Sequence, residues 1–137
     1  MMENHFKSYR RKLDEIRAKN MELIKLKEDW YNLSGVRIDD MPKGGKPIDI
    51  ADQLHNIIEK EKELTGIINY KEELRRIHEQ EINTIKDSKK RTILKLFYLD
   101  ECSIKQIAYC LRISEGHAKK LKRWAIEEFK DKVIKGG

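Results

Sequence analysis

The sequence predicts an all-α protein with two long helices followed by three short ones. Apolar residues recur at spacings of three and four over both long segments, which is the helical period. The composition agrees, because 39% of the residues are hydrophobic and 39% are charged, a balance too polar for one compact globule and typical of long solvated helices. Beyond Asp87 the pattern changes to short amphipathic segments separated by helix-capping residues.

The first long segment, about Glu3 to Leu33, carries a heptad pattern. Two series of residues recur seven positions apart, the second three positions after the first. The first series is partly polar: Phe6, Leu13, Asn20 and Lys27. The second series is apolar: Tyr9, Ile16, Leu23 and Trp30. A helix with one such stripe needs a partner to cover it.

A loop and a second long helix supply a partner. The loop, residues 34–47, contains both prolines and three of the seven glycines, so it ends the helix and permits reversal of the chain. The second helix is expected from Ile48 or Asp49 to about Lys86. Gly66 weakens it by roughly 1 kcal/mol relative to alanine and is a position where it can bend. Residues 1–86 therefore read as an antiparallel, coiled-coil-like hairpin. Apolar side chains that the hairpin leaves uncovered favour packing against a second copy, and hence a homo-oligomer. The alternative is that these side chains pack against the C-terminal module of the same chain.

Residues 87–137 are expected to form a separate helix-turn-helix domain. Its first helix runs from about Ser88 to Leu99. Ser103 and Gln106 form the capping box of the second helix, and Ser114 caps a third that extends to about Lys132. A small residue where the last two helices cross, Ala108, permits their close approach.

The third helix divides into two faces at 100° per residue. Ala118, Leu121, Ala125 and Phe129 face the core, whereas Gly116, Lys119, Lys120 and Arg123 point the opposite way. Such a helix can enter the major groove, with Arg123 and Lys119 donating to guanine, Glu115 accepting from cytosine, and Lys120 or Lys122 holding phosphates. The predicted DNA-binding residues are Ser114, Glu115, Gly116, His117, Lys119, Lys120, Lys122, Arg123 and, on the preceding helix, Lys105.

The distribution of charge agrees with double-stranded DNA as a partner. From Asp87 onward there are 13 Lys and Arg against 7 Asp and Glu, whereas the preceding residues carry 17 of each sign. The net charge of +6 therefore lies entirely in the C-terminal segment. A localised basic excess is the electrostatic pattern of nucleic-acid binders, although solvated helical faces also carry such charge.

Other classes of function find no support. Motifs of catalysis are absent, so the chain is not expected to be an enzyme and no cofactor is expected. Cys102 and Cys110 lack CxxC spacing and a nearby ligand set, so both read as structural and no metal is expected. No segment approaches the roughly 20 apolar residues of a membrane span, and we expect a cytoplasmic protein with no membrane partner.

The segment LKLFYLDECSIKQIAYCLRISEGHAKKLKRWAIEEF resembles region 4 of sigma-70-type factors, and the chain as a whole resembles phage and prophage late-operon transcriptional regulators of the RinA/ArpU type. The resemblance implies a sequence-specific promoter binder that activates transcription and contacts RNA polymerase. Arg112 stands where glycine is usual in sigma region 4, while His117 and Leu121 replace the commoner Thr and Arg. No sigma region 2 is present, so promoter melting is not implied.

Two alternatives remain open. Small terminase subunits of phages also join a helix-turn-helix to oligomerising helices, and ring assembly on packaging-site DNA would indicate that class. A coiled-coil adaptor whose C-terminal module binds a protein such as RNA polymerase is the second. Binding to DNA that weakens steeply with salt separates the regulator from the adaptor.

Overall fold

The computed structural model describes residues 2–34 and 50–136. The described chain is mostly helical and contains no strand within those residues, which confirms the all-α prediction. The helices are α1 (Met2–His5), α2 (Lys7–Ser34), α3 (Ile50–Ile82), α4 (Ser88–Leu94), α5 (Ile104–Leu111) and α6 (Glu115–Phe129). Two π-helical turns, Lys95–Leu99 and Lys130–Ile134, continue α4 and α6. Most of the predicted loop, from residue 35 onward, lies outside the described residues.

The chain forms two compact units that do not follow the expected boundary between residues 86 and 87. The first unit combines residues 1–11 with residues 71–137, and the second unit contains residues 12–70. The start of α2 and the end of α3 therefore belong with the three C-terminal helices. None of the described helices is long and apolar enough to cross a membrane.

In the second unit, α2 and α3 pack along one apolar seam. Leu23, Ile57 and Leu64 are buried there, and partly buried Ile16, Leu26, Trp30 and Ile68 pack against them. Polar contacts pair the helices in reverse order along the chain: Lys12 lies over the Tyr70 ring, Lys19 pairs with Glu63 at 3.6 Å, and Trp30 Nε1 donates to the Ile50 carbonyl at 3.3 Å. The helix α3 continues through Gly66 without interruption.

In the first unit, the N-terminal residues are part of the core. Phe6 is fully buried, its ring stacked on that of Tyr98 with centroids 4.7 Å apart and lying 5.6 Å from that of Phe129. Tyr9 is buried beside them and donates a hydrogen bond to the Leu99 carbonyl at 3.3 Å. The other buried residues of this unit are Met2, His78, Ile82, Ile85, Ile93, Leu94, Leu99, Ile107, Ala108, Ala118, Leu121 and Ala125.

Helix α3 ends at Ile82, four residues before the predicted end at Lys86. The Thr84 hydroxyl donates to the Glu81 carbonyl at 2.7 Å, which turns the chain and lets Ile85 enter the core from outside the helix. Asp87 then caps α4 by accepting from the Lys89 amide at 3.0 Å.

The connection between α5 and α6 is closed by a residue in the left-handed region. Arg112 has φ 57° and ψ 46°. Its amide donates to the Tyr109 carbonyl at 3.3 Å, and the Ile113 amide donates to the Ala108 carbonyl at 3.0 Å. This is the hydrogen-bond pattern of a Schellman motif, in which glycine is preferred at the position that Arg112 occupies. Arg112, at the position where sigma region 4 usually has glycine, therefore adopts the left-handed conformation that glycine tolerates best.

The left-handed Arg112 yields a prediction. Replacing Arg112 with glycine relieves the Cβ strain, and after the entropy cost of glycine we expect the free energy of unfolding to rise by about 0.5 kcal/mol. Arg112→Ala keeps the strain and serves as the control. Chemical denaturation of the three proteins measures the effect, and an equal gain in both variants would assign it to the lost arginine side chain instead.

The burial of Phe6 yields a second prediction. Phe6→Ala should lower the free energy of unfolding of the C-terminal helices by about 3 to 5 kcal/mol, because it removes a fully buried ring. Met21→Ala, at a position 73% exposed, should change it by less than about 0.5 kcal/mol. Protection of α5 and α6 amides against hydrogen exchange measures the effect; unchanged protection in Phe6→Ala would mean that those helices fold without the N-terminal segment.

Candidate nucleic-acid interface

The helices α5 and α6 both begin at serine caps, as the sequence predicts. The Ser103 hydroxyl accepts from the Gln106 amide at 3.2 Å, and the Gln106 side chain accepts from the Ser103 amide at 2.8 Å, which completes the capping box. The Ser114 hydroxyl accepts from the His117 amide at 3.0 Å. Only a short connection separates the helices, so these caps fix where each helix starts and hence the register of α6.

One face of α6 supports it in the first unit. Ala118, Leu121, Ala125 and Phe129 are all buried, as predicted, and the helix packs against α4 and α5. The small side chains at Ala118 and Ala125, together with Ala108 on α5, permit close approach of the helix axes. This packing holds the opposite face of α6 at a fixed orientation.

The opposite face of α6 is polar and accessible. Glu115, Gly116 and His117 form its exposed first turn. Lys119, Lys120 and Arg123 are exposed as well, and within the part of the chain that the structure describes their side chains make no hydrogen bond or ion pair with the protein. Three cations on neighbouring turns are therefore available to an external anion.

Some of these cations line an open groove of about 420 Å³ beside the start of α5. Its residues are Ile104, Lys119, Lys122, Arg123, Ile126, Glu127 and Lys130. Four of the seven are basic and one is acidic, so the groove has a positive local charge that suits a phosphate backbone.

Lys130 is a groove residue absent from the sequence-predicted set. It lies seven residues after Arg123, which is two helical turns along the same face. Extending the helical wheel one residue past Phe129, into the π-helical turn, is the signal that identifies it.

Lys122 occupies a different environment from the other predicted cations. Its Nζ lies 3.6 Å from the centroid of the Phe97 ring, and the side chain is only partly exposed. Burial lowers the pKa of its ammonium group below the ordinary value; the charge of Glu3 raises that pKa, and the charge of Arg10 lowers it again. Lys122 thus packs on the first unit with its stem in the groove, as a cation–π partner of Phe97.

Lys105 lies apart from the α6 groove. It is exposed on α5, where it lines a separate depression with Cys102, Gln106, Tyr109 and Cys110. The structure thus brings Lys119 and Arg123 together with Lys122 and does not bring Lys105 to the same groove. Both cysteines are free thiols.

Other cations at the end of the first unit are neutralised by the protein. Glu128 pairs with Lys90 at 3.1 Å and with Lys132 at 3.4 Å, and these interactions hold the pKa of its carboxyl below the ordinary value, the hydrogen bond from Lys90 being the largest cause. Lys90 and Lys132 are thus paired within the protein. The three exposed cations of α6 have no such partner among the described residues and can pair with an external anion.

The described protein is thus an all-α chain in which one face of α6 is basic and exposed. The family model "Protein of unknown function (DUF1492)" matches residues 32–130, which is well over half of the sequence, and the chain belongs to this family. No curated protein and no solved structure matches the chain.

The glycine in the first turn of α6 yields a third prediction. A Cβ placed on Gly116 meets nothing within 4 Å, and the same holds for Gly66 in α3. Because glycine lowers helix stability without any packing reason at these positions, both Gly116→Ala and Gly66→Ala should raise the free energy of unfolding by about 0.5 to 1 kcal/mol. Thermal or chemical denaturation measures this, and a loss of stability at either position would mean that its backbone is not that of an exposed helix.

Proposed function

We propose that this protein binds double-stranded DNA in a sequence-specific manner, with α5 and α6 acting as a helix-turn-helix and α6 as the recognition helix. The observation that carries the proposal is the division of α6 into a buried face of small and apolar residues and an exposed face whose cations Lys119, Lys120 and Arg123 have no partner in the described protein. A recognition helix needs this division, since one face holds it in place while the other contacts the groove.

The residues of α6 take distinct roles in this proposal. Arg123 and Lys119 donate to guanine, and Glu115 in the first turn accepts from cytosine. Lys120 and Lys130 contact phosphates, while Lys122 supports the surface through its packing on Phe97. Ser114 fixes the start of the helix, and His117 is exposed beside it.

Gly116 adds a second line of support. The protein's own packing does not require a glycine there, because a Cβ would meet open space. Glycine permits close approach of another backbone, and the start of a helix favours anions through its free amides and dipole. We infer that a DNA phosphate or base edge approaches α6 at this turn.

Among DNA-binding proteins, we propose a transcriptional regulator of the RinA/ArpU type that acts on a phage or prophage promoter and contacts RNA polymerase. The proposal rests on the resemblance of residues 94–129, which run from the end of α4 through α6, to sigma region 4, a promoter-binding module. The capping serines and the turn at Arg112 to Ser114, which carry that resemblance, bound helices of the described chain. The site of action is the bacterial cytoplasm.

We also propose that the regulator binds as a homo-oligomer through the second unit. Beyond the seam that α2 and α3 share, both helices expose large apolar side chains: Met21, Ile24, Tyr31, Leu54 and Ile58. An apolar surface of this kind on a small unit favours burial against a second copy. Symmetric half-sites in the bound DNA would follow from a dimer.

Selection of bound duplexes from a random pool tests sequence specificity. We expect a defined motif, followed by a steep loss of affinity with salt, since each phosphate contact contributes about 0.9 to the slope of log K against log salt. Failure of duplex DNA to bind at low salt would exclude the proposal and favour the adaptor, whereas ring assembly on the selected DNA would favour a small terminase subunit.

Substitutions on α6 provide the fourth prediction. Arg123→Ala should weaken binding to the selected site by about 1 to 3 kcal/mol, because it removes a base contact. Lys25→Ala removes an exposed positive charge from α2 and should leave binding unchanged. Equilibrium binding by fluorescence anisotropy measures both; equal losses would indicate a general effect of net charge.

The two glycine variants provide a control matched in chemistry. Gly116→Ala and Gly66→Ala add the same methyl group at equally open helical positions. Only Gly116→Ala should weaken DNA binding, by roughly tenfold or about 1.4 kcal/mol if the close approach is lost. Unchanged binding in Gly116→Ala would remove the first turn of α6 from the DNA interface.

A further inference from the structure

We propose that His5, His78 and Glu81 form a binding site for a divalent transition metal, with Zn²⁺ as the metal that fits the donor set. His5 belongs to α1, and His78 and Glu81 lie one turn apart on α3, all within the first unit. The three side chains each offer a ligand atom, and these atoms all lie within 4.8 Å of one another. The site is separate from the basic groove of α6.

The three side chains already converge. His5 Nε2 lies 2.9 and 3.0 Å from the two oxygens of Glu81, and His78 Nδ1 lies 2.8 Å from Oε1. Both imidazoles therefore direct a ring nitrogen at the same carboxylate oxygen. In a purely hydrogen-bonded cluster Oε1 accepts an N–H group from each ring. When a single metal ion binds these two nitrogens instead, each neutral ring carries its proton on its other nitrogen.

The distances from both ring nitrogens to the Glu81 carboxylate are close to those of a zinc site. Zn²⁺ binds histidine nitrogen and carboxylate oxygen at about 2.0 to 2.2 Å, which places the ligand atoms of a tetrahedral site about 3.3 Å apart. The present N···O contacts are shorter by only a few tenths of an ångström. Two imidazoles and one carboxylate are a known zinc donor set that leaves the fourth position to water.

The surroundings restrict access to the site without closing it. His78 is 6% exposed, and the side chains of His5 and Glu81 retain about a quarter of their exposure, 25% and 24%. The His5 ring packs edge-on against Phe6 and Phe129, with centroids at 5.2 and 5.4 Å. An apolar wall on one side and solvent on the other permit entry of the ion and a bound water.

A metal at this site would connect the N-terminal helix to the end of α3. These segments are far apart in sequence, since His5 precedes His78 by 73 residues. In the core, the His5 ring packs against Phe129 and the His78 ring packs against Phe6. Because the unfolded chain lacks the assembled site, the binding free energy stabilises the folded first unit. This inference does not depend on DNA binding.

The direct test uses the full chain, stripped of metal and titrated with Zn²⁺. We expect one Zn²⁺ per chain by calorimetry and a rise in the melting temperature. In a ¹⁵N-detected spectrum of the histidine rings, Zn²⁺ should shift the signals of His5 and His78. The rings of His55 and His117, both exposed, should not respond.

Variants connect the binding to the ligands. His5→Gln and Glu81→Gln should each weaken Zn²⁺ binding by more than the roughly 10- to 100-fold that losing a hydrogen-bond partner of a metal ligand costs. His55→Ala should retain full affinity, as should the double variant Cys102→Ser with Cys110→Ser. Far-ultraviolet circular dichroism of each metal-free variant verifies that it folds, and the ring spectrum of the unaltered chain decides the question if one does not.

Several results would overturn the proposal. No heat and no change in melting temperature on addition of Zn²⁺ would leave the cluster as a hydrogen-bonded His–Glu–His contact. Equal affinity in Glu81→Gln, or loss of binding in the cysteine double variant, would place the ion elsewhere. A ring spectrum in which His117 or His55 shifts in place of His5 and His78 would do the same.

Discussion

The first unit depends on the burial of Phe6 between Tyr98 and Phe129. This one ring joins the beginning of the chain to the helix that precedes α5 and to the last turn of α6. Tyr9 continues the same contact, because its hydroxyl donates to the Leu99 carbonyl and accepts from Arg75 Nη1 at 3.0 Å. Arg75 in turn contacts Asp100 at 2.9 Å, which fixes the turn before α5.

This aromatic contact matters for α6 because a helix can present cations in a constant direction only if its other face is held. Phe129, Ala125, Leu121 and Ala118 hold it along its whole length. Two residues in the turns that flank α5 have left-handed backbone conformations, which cost free energy for residues other than glycine. Arg112 has φ 57° and Glu101 has φ 54°. The packing of the helices outweighs the cost of those two residues.

Much of the candidate interface was predictable from the sequence, and the exceptions have physical causes. Helical periodicity places Lys119, Lys120 and Arg123 on the exposed face, and the serines at 103 and 114 set the helix starts, because capping and periodicity are local. Lys122 is different, because its position depends on Phe97 of another helix. The separation of Lys105 from the groove likewise depends on how α5 lies on α6.

The sequence by itself determined the helical class, the caps, the inward face of α6 and the concentration of positive charge after Asp87, since each follows from local spacing or composition. Only the tertiary structure decided that residues 1–11 and 71–86 belong with the C-terminal helices, and that His5 meets His78 and Glu81. The contacts of the N-terminal residues, such as Tyr9 with Arg75 and His5 with Glu81, join positions more than 60 residues apart. The heptad spacing predicts that Phe6 and Tyr9 lie on the apolar face of a helix. It does not specify which other apolar surface of the protein packs against that face.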